Sequence, residues 1–173
     1  MKKIGLFYGP QGGATEKVAK KVANALGIDN VDLLAVKSAK ASDMEKYENI
    51  ILGMSTIGKE TWESDKPAND WDIFLPELEK ANYANKVIAM FGLGDQITYD
   101  LHFVDALGIV ANKILPKGAK IIGQVETEGY EFRESLALMD GKFIGLPVNE
   151  DFEPELTDER VNKWVESIKK EFK

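Results

Sequence analysis

The sequence predicts a doubly wound α/β fold, in which helices cover both faces of a five-stranded parallel sheet. Short apolar runs alternate with helical patterns along all 173 residues, a rhythm typical of βαβ units with right-handed crossovers. The runs are continuously apolar rather than alternating, as expected of strands covered on both sides. Because no linker, repeat or low-complexity tract interrupts this rhythm, we predict a single domain over residues 1–173.

Five short apolar runs are the predicted strands. They are residues 4–8, 31–36, 50–54, 87–91 and 120–125. A further apolar piece, residues 143–148, continues the fifth strand after an interruption. The interrupting residues 126–141 are polar and acidic. We expect them to leave the sheet as a surface excursion, because a buried loop would leave backbone groups unpaired.

Helices are predicted where apolar residues recur every three or four positions between these strands. The first covers residues 18–26 and stops at Gly27, since glycine often ends a helix. Asp70 is placed to cap the second. The apolar faces of the later helices are Trp71, Phe74, Leu75 and Leu78, then Phe103, Leu107, Val110 and Ile114, and finally Val161, Trp164, Val165, Ile168 and Phe172.

Composition excludes several classes of function. The absence of cysteine rules out disulfide scaffolds, thiolate metal sites, iron–sulfur clusters and cysteine nucleophiles. The net charge of −7 argues against nucleic acid as a partner. It suits partners with basic docking surfaces, although an acidic surface can also serve solubility alone. No apolar stretch has the length of a membrane helix or of a signal-peptide core, so we expect a soluble, cytoplasmic protein that does not enter a membrane. We also expect a monomer.

Three predicted loops follow the carboxyl ends of strands and so share one rim of the sheet, where ligands bind. They are residues 9–15, 55–58 and 93–99. Glycines at the start of the first helix let main-chain N–H groups converge, which makes a seat for phosphate. Ala14-Thr15 stands in place of the Lys-Ser/Thr pair of a nucleotide-hydrolysing loop, so an NTPase is disfavoured. A tight turn with no ligand remains an alternative for this loop.

Four segments carry a more specific resemblance. They are IGLFYG at residues 4–9, GLGDQITY at 92–99, DGKFIGL at 140–146 and LTDER at 156–160. With them, the sequence resembles the long-chain flavodoxins over nearly its whole length, and the insertion at 126–141 is the feature that distinguishes that class. The resemblance implies a flavodoxin-like sheet of order 2-1-3-4-5, with the fifth strand interrupted, and FMN bound at the point where the strand order reverses.

The resemblance also implies which residues contact FMN. Residues 11–15 would wrap its phosphate with main-chain N–H groups, and Tyr99 would stack flat on the isoalloxazine ring. Residues 94–95 would face the pyrimidine edge. Residues 56–58 would cover the other face, where Gly58 suits a peptide flip on reduction because glycine accepts positive φ. The implied cofactor-binding residues are Pro10, Gln11, Gly12, Gly13, Ala14, Thr15, Ser55, Thr56, Ile57, Gly58, Leu93, Gly94, Asp95, Tyr99 and His102.

Some of these positions depart from the family's pattern. Pro10 and Gly12 replace residues that usually bring hydroxyls to the phosphate. Each hydrogen bond contributes roughly 0.5–3 kcal/mol, so the loss of these hydroxyls implies weaker FMN binding. The main-chain N–H groups of the loop would still bind the phosphate. Leu93 replaces a usual threonine and His102 a usual asparagine. For Tyr99 the alternative role is packing on the sheet, and His102 is expected at the surface rather than as a catalyst.

The loop after the third strand departs as well. Ile57 stands where many members have tryptophan, and Trp62 is a candidate to replace that ring over the flavin. The acidic residues 60–65 form either a solvated loop or an acidic docking surface around the flavin edge.

The implied function is a low-potential, one-electron carrier between redox partner proteins, with no catalytic residue and no metal. Carboxylates around the flavin would disfavour the negative charge of its reduced form and keep the potential low. Two alternatives stay open. An FMN-dependent quinone or nitro reductase would need a basic cluster for a nicotinamide, which the sequence does not offer. A flavodoxin-like binding or regulatory module with weak or lost FMN binding is suggested by Pro10, Gly12 and Ile57.

Overall fold

The structure, a computed structural model, describes residues 1–57 and 69–173. Its strands are β1 (Ile4–Tyr8), β2 (Val31–Ala35), β3 (Asn49–Met54), β4 (Val87–Leu93), β5 (Lys120–Ile122), β6 (Leu138–Met139), β7 (Lys142–Phe143) and β8 (Leu146–Val148). Its α-helices are α1 (Ala14–Leu26), α2 (Ala41–Met44), α3 (Asp70–Lys80), α4 (Asp105–Ile114) and α5 (Thr157–Ile168). Short 3₁₀ turns lie at Ile28–Asn30, Leu115–Lys117 and Pro154–Leu156.

The central sheet is parallel and has the order β2-β1-β3-β4-β5. Leu6 of β1 lies beside Leu33 on one side and Ile51 on the other. The outer edge of β4 is shared, since β5 pairs with residues 87–89 and β8 pairs with residues 91–93. Two separate strands therefore occupy the fifth position, which confirms both the predicted order and the interrupted fifth strand.

Helices cover both faces of this sheet. On one face Phe7, Leu52 and Met90 belong to a core that includes Trp71 of α3 and Leu107 of α4. On the other face, the alternate strand residues Leu6, Ile51 and Phe91 pack with Val18 of α1 and Trp164 of α5. Because successive strand residues point to opposite faces, a strand with a core on each side must be apolar throughout. The two cores therefore explain why the strands are continuous apolar runs in the sequence.

Several element ends differ from the prediction. The structure has β2 ending at Ala35, β3 beginning at Asn49, β4 continuing to Leu93, α1 beginning at Ala14 and β8 beginning at Leu146, with Phe143 in β7. Two further differences have a cause that the structure shows. The strand β5 ends at Ile122 rather than residue 125, because Gly123 has φ of +79° and leaves the extended conformation. Its carbonyl accepts a hydrogen bond of 2.8 Å from Trp164 Nε1. Asn69, not Asp70, caps α3: its side chain accepts from the Asp72 amide at 3.0 Å, and Asp70 is already the first helical residue.

The excursion (residues 126–141), which lies between β5 and β8, is attached to the rest of the fold by aromatic side chains. Tyr130 and Phe132 pack around Phe103 and Phe143 with ring centroids 5.1–5.9 Å apart. Burial raises the pKa of Tyr130 to about 12, and its hydroxyl donates to the Pro147 carbonyl at 2.8 Å. The polar stretch thus leaves the sheet but stays fixed to it through aromatic contacts. Within the described ranges, no helix is both long and apolar enough to cross a membrane.

Candidate functional site

The three predicted rim loops follow β1, β3 and β4, which are neighbours at the centre of the sheet. The carbonyl of Gly53, in β3, links the first loop to α3, because it accepts from the Gly9 amide at 3.1 Å and from Trp71 Nε1 at 3.0 Å. The strand order reverses at β1, where β2 lies on one side and β3 on the other. This is the position at which doubly wound sheets open a crevice for ligands.

The first loop presents open space beside the main-chain N–H groups at the start of α1. Gly13 is the N-cap residue, with extended backbone and no side-chain capping hydrogen bond. The first N–H groups of a helix have no partner inside the helix and carry partial positive charge. A Cβ atom on Gly12 or Gly13 would meet nothing within 4 Å, so a ligand can approach this main chain closely. Gly12 also has φ of +89°, a conformation that favours glycine.

Two carboxylates of the chain already bind this loop. The amide of Gly12 donates to Glu16 Oε2 at 2.6 Å, and the amide of Gln11 donates to Asp70 Oδ2 at 3.2 Å. Lys20 Nζ lies 2.9 Å from Glu16 Oε1, and its hydrogen bond, together with that of Gly12, lowers the pKa of Glu16. The amides of this loop thus bind carboxylate oxygens, which are acceptors of the same kind as the oxygens of a phosphate. The loop therefore fits a phosphate group.

The second loop is held by Asn69. Its Nδ2 donates to the Thr56 carbonyl at 2.9 Å, while its Oδ1 caps α3. Ser55 is half-buried, Thr56 is exposed, and Ile57 packs against the core face of α3 and α4. The amide of Asn69 thus fixes the end of this loop to the start of a helix.

Gly58, Trp62 and the acidic residues 60–65 lie outside the described residues. Their predicted roles are left as predictions.

Replacing Asn69 with alanine is expected to lower the free energy of unfolding by about 1–2 kcal/mol, because α3 loses its cap and Thr56 loses its tether. Urea denaturation followed by circular dichroism measures the change. Asn69→Ser is the matched variant, since serine can accept from the Asp72 amide but cannot reach Thr56. It should recover most of the stability, and a serine variant as unstable as the alanine variant would contradict the capping role.

The third loop is shaped by the carboxylate of Asp95. Its Oδ1 accepts from the amides of Ile97 at 2.8 Å and Thr98 at 2.9 Å, and the Asp95 carbonyl accepts from the Tyr99 amide at 3.0 Å. Desolvation raises the pKa of Asp95, but the hydrogen bonds from Thr98 and Ile97 outweigh it and lower the pKa overall. The resulting turn leaves the Tyr99 side chain 52% exposed at the rim. An exposed ring on a hydrogen-bonded turn can serve as a stacking platform.

The remaining predicted residues of this loop lie at its two ends. Gly94 donates to the Val148 carbonyl at 3.0 Å, and a Cβ on Gly94 would lie 2.8 Å from Val104 Cγ1, so the loop packs closely there. Leu93 is half-buried at the end of β4. His102 is exposed, and its Nδ1 lies 3.1 Å from Asp105 Oδ2. This position agrees with the expectation of a surface group.

Comparison with known proteins agrees with this geometry. The family model described as flavodoxin matches residues 6–164. A flavodoxin of Nostoc sp. is 42% identical over 99% of this chain and 98% of its own length. Flavodoxin 1 of Escherichia coli is 41% identical over 96% of this chain and 93% of its own length. The crystal structure of a Fusobacterium nucleatum flavodoxin bound to flavin mononucleotide superposes with a TM-score of 0.87 and 32% identity, covering 100% of both chains.

The chain belongs to the flavodoxin family. This confirms the resemblance read from the sequence, and the strand order agrees with that of the solved flavodoxin fold. The structure brings residues 10–15, 55–57 and 93–99 to one rim, with His102 beside them. Their contacts with a flavin remain predictions.

Sequence reasoning missed three residues of this flavodoxin-family site. Asn69 holds the second loop, and Glu16 and Asp70 bind the first. A local signal existed for Asn69, because an N-cap residue followed three positions later by an acidic residue is a capping box. The spacing of Glu16 four residues after Gly12 is a weaker signal, since it matches one turn of helix. The partnership of Asp70 with Gln11 spans 59 residues and leaves no local pattern.

Proposed function

We propose that this member of the flavodoxin family binds FMN non-covalently at the rim and carries electrons between redox partner proteins. The observation that carries the proposal is the anion-binding state of the first loop. Two of its amides bind carboxylate oxygens beside open space at the start of α1. A phosphate monoester needs the same donors.

The residues present fit each part of FMN. The amides of residues 11–15 would hold the phosphate, with Thr15 at the first turn of α1. The exposed ring of Tyr99 would stack on the isoalloxazine, and the main chain of Gly94 and Asp95 would face its pyrimidine edge. Residues 55–57 of the second loop would cover the other face, together with Gly58. The bound flavin supplies the electron-transfer chemistry, and the chain contributes position and electrostatics.

We propose a low potential for this carrier. The chain has a net charge of −7, and carboxylates of Glu16, Asp70 and Asp95 lie in or beside the loops of the rim. Negative charge near a redox centre disfavours the addition of an electron. The same acidic character supports partners with basic docking surfaces.

Apolar side chains next to the third loop support a contact surface for those partners. The exposed ones are Ile97, Tyr99, Leu101, Leu136 and Leu138. A cysteine-free, acidic chain also suits a monomer in the cytoplasm, and sedimentation of the purified protein tests the monomer.

Titration of FMN into the purified protein, followed by quenching of flavin fluorescence, tests the proposed function. We expect saturable one-to-one binding, and we expect Tyr99→Ala to weaken it about tenfold, because a stacked ring and its buried area are lost. Tyr99→Phe should bind nearly as well as the wild type. Ile28→Ala removes an equally exposed apolar side chain (52%) before β2, at the opposite edge of the sheet, and serves as the control.

Absence of quenching at saturating FMN would contradict the proposal and favour the module that has lost its cofactor. That alternative has one observation in its favour, since the amides of Gln11 and Gly12 already have carboxylate partners. Steady-state oxidation of a nicotinamide by the purified protein alone would instead favour the reductase.

A further inference from the structure

We propose that Glu16 competes with the phosphate group for the main-chain donors of the first loop, and that this competition sets how strongly the chain prefers FMN to riboflavin. The inference rests on the proposed function. It assigns a specificity-determining role to a side chain of this chain, through a contact that the structure shows directly.

The contact occupies the donor that the phosphate needs. Gly12 has one amide hydrogen, and the 2.6 Å separation from Glu16 Oε2 indicates a strong, charge-assisted hydrogen bond. A phosphate oxygen bound to the same amide would have to lie within hydrogen-bond distance of the same nitrogen. It would then be close to the carboxylate, and two negative charges at such a distance repel each other. Phosphate and Glu16 therefore cannot both use this donor.

The competing carboxylate is held in place. Glu16 lies in the first turn of α1, one turn after Gly12, and Lys20 one turn later contacts its other oxygen at 2.9 Å. Its side chain is 18% exposed. The hydrogen bonds from Lys20 and Gly12 lower the pKa of Glu16, so it is charged at neutral pH. Asp70 binds Gln11 at 3.2 Å, which makes it the weaker competitor of the two.

The loop offers little to offset this competition. Pro10 has no N–H group and Gly12 has no side chain. Lys20, one turn along α1 from Glu16, is already paired with that carboxylate. FMN must either displace Glu16 from Gly12 or bind without that amide, and each route removes part of the binding free energy of the phosphate. Riboflavin has no phosphate and meets no such competition at this loop. We therefore expect the affinities for FMN and for riboflavin to differ by only a small ratio.

Dissociation constants for FMN, riboflavin and inorganic phosphate, measured on the wild type, Glu16→Ala and Glu16→Gln, test the inference. We expect Glu16→Ala to bind FMN and inorganic phosphate about tenfold more tightly, with riboflavin affinity unchanged within about twofold. Glu16→Gln should fall between, because it removes the charge but keeps an oxygen near Gly12. Glu166→Gln is the control, since it removes a negative charge from a side chain that is 71% exposed on α5.

The melting temperature of each variant without ligand shows whether it folds, and Glu16→Gln retains the shape of the side chain should Glu16→Ala fail to fold. Unchanged or weaker FMN binding by folded Glu16 variants would overturn the competition and leave the proposed function standing, because the wild type still binds. If the wild type does not bind FMN, the proposed function fails, and inorganic phosphate decides the inference. Tighter phosphate binding by the variants supports it, and equal or absent binding overturns it.

Discussion

Replacing Gly108 with alanine is expected to destabilise the protein by about 2–3 kcal/mol, although the same change in most helices is stabilising by about 1 kcal/mol. Gly108 is the fourth of the ten residues of α4, and the main chain of the excursion lies against the helix there. A Cβ atom there would lie 2.0 Å from the carbonyl oxygen of Leu136 and 2.4 Å from its carbonyl carbon. These are backbone atoms, which cannot rotate away as a side chain can. The excursion must therefore lift from the helix.

Lifting would also break the contacts that hold the excursion in place. The Leu136 amide donates to Asp105 Oδ1 at 2.8 Å, and the Ala137 carbonyl accepts from the Ile144 amide at 2.8 Å. Urea denaturation measures the lost stability, and hydrogen exchange of residues 134–138 shows whether the loss is local. Asn112→Ala is the control, because Asn112 is exposed on the same helix and should gain slightly from the better helix former. A Gly108→Ala variant at least as stable as the wild type would show that the excursion does not depend on close contact with α4 at residue 108.

The fold could be predicted from the sequence because the pattern that produces it, buried strands alternating with helices, is repeated along the chain. Each central strand is covered on both faces, so each appears as an unbroken apolar run, and the rhythm of strands and helices predicts the parallel sheet. The ends of elements could not be predicted in the same way. Gly123 ends β5 by its positive φ and by accepting a hydrogen bond from Trp164, which is 41 residues away. No window around Gly123 contains that partner.

The anchoring of the excursion was missed for a different reason. Tyr130 and Phe132 lie among charged residues, so the stretch looks polar on average. Its attachment depends on these two rings meeting Phe103 and Phe143, and on Arg160, whose Cζ lies 4.3 Å from the centre of the Tyr130 ring. An average over a window does not detect contacts made by two side chains.

The candidate site, too, could be predicted from the sequence only in part. The positions of its loops follow from the strands that precede them, and the resemblance to flavodoxins supplied the residues. The partners of the loop amides did not follow, because a family pattern describes contacts with a ligand. It does not describe which side chains of the chain itself contact those donors. The first turn of α1 places Glu16 Oε2 2.6 Å from the Gly12 nitrogen, a contact that the family pattern does not include.

Replacing Asn49 with alanine is expected to lower the free energy of unfolding by about 3 kcal/mol, because one buried amide holds the main chain at both Lys2 and Lys173. Asn49 is fully buried at the start of β3. Its Nδ2 donates to the main-chain oxygens of Lys2 at 3.1 Å and Lys173 at 3.0 Å, and its Oδ1 accepts from the Lys173 amide at 3.0 Å. Alanine would leave three main-chain groups without this partner.

Chemical denaturation without flavin measures this loss, and a fall in melting temperature of roughly 6–12 °C should accompany it. Asn24→Ala, at an exposed position of α1, should leave the stability almost unchanged. Asn49→Asp tests the donors separately, since it keeps an acceptor for the Lys173 amide but turns a negative charge towards two main-chain oxygens. It should be at least as destabilising as alanine. A loss below about 1 kcal/mol in both variants would mean that water replaces the side-chain amide. It would also mean that the main-chain hydrogen bond between Lys2 and Lys173 is enough to hold these two residues together.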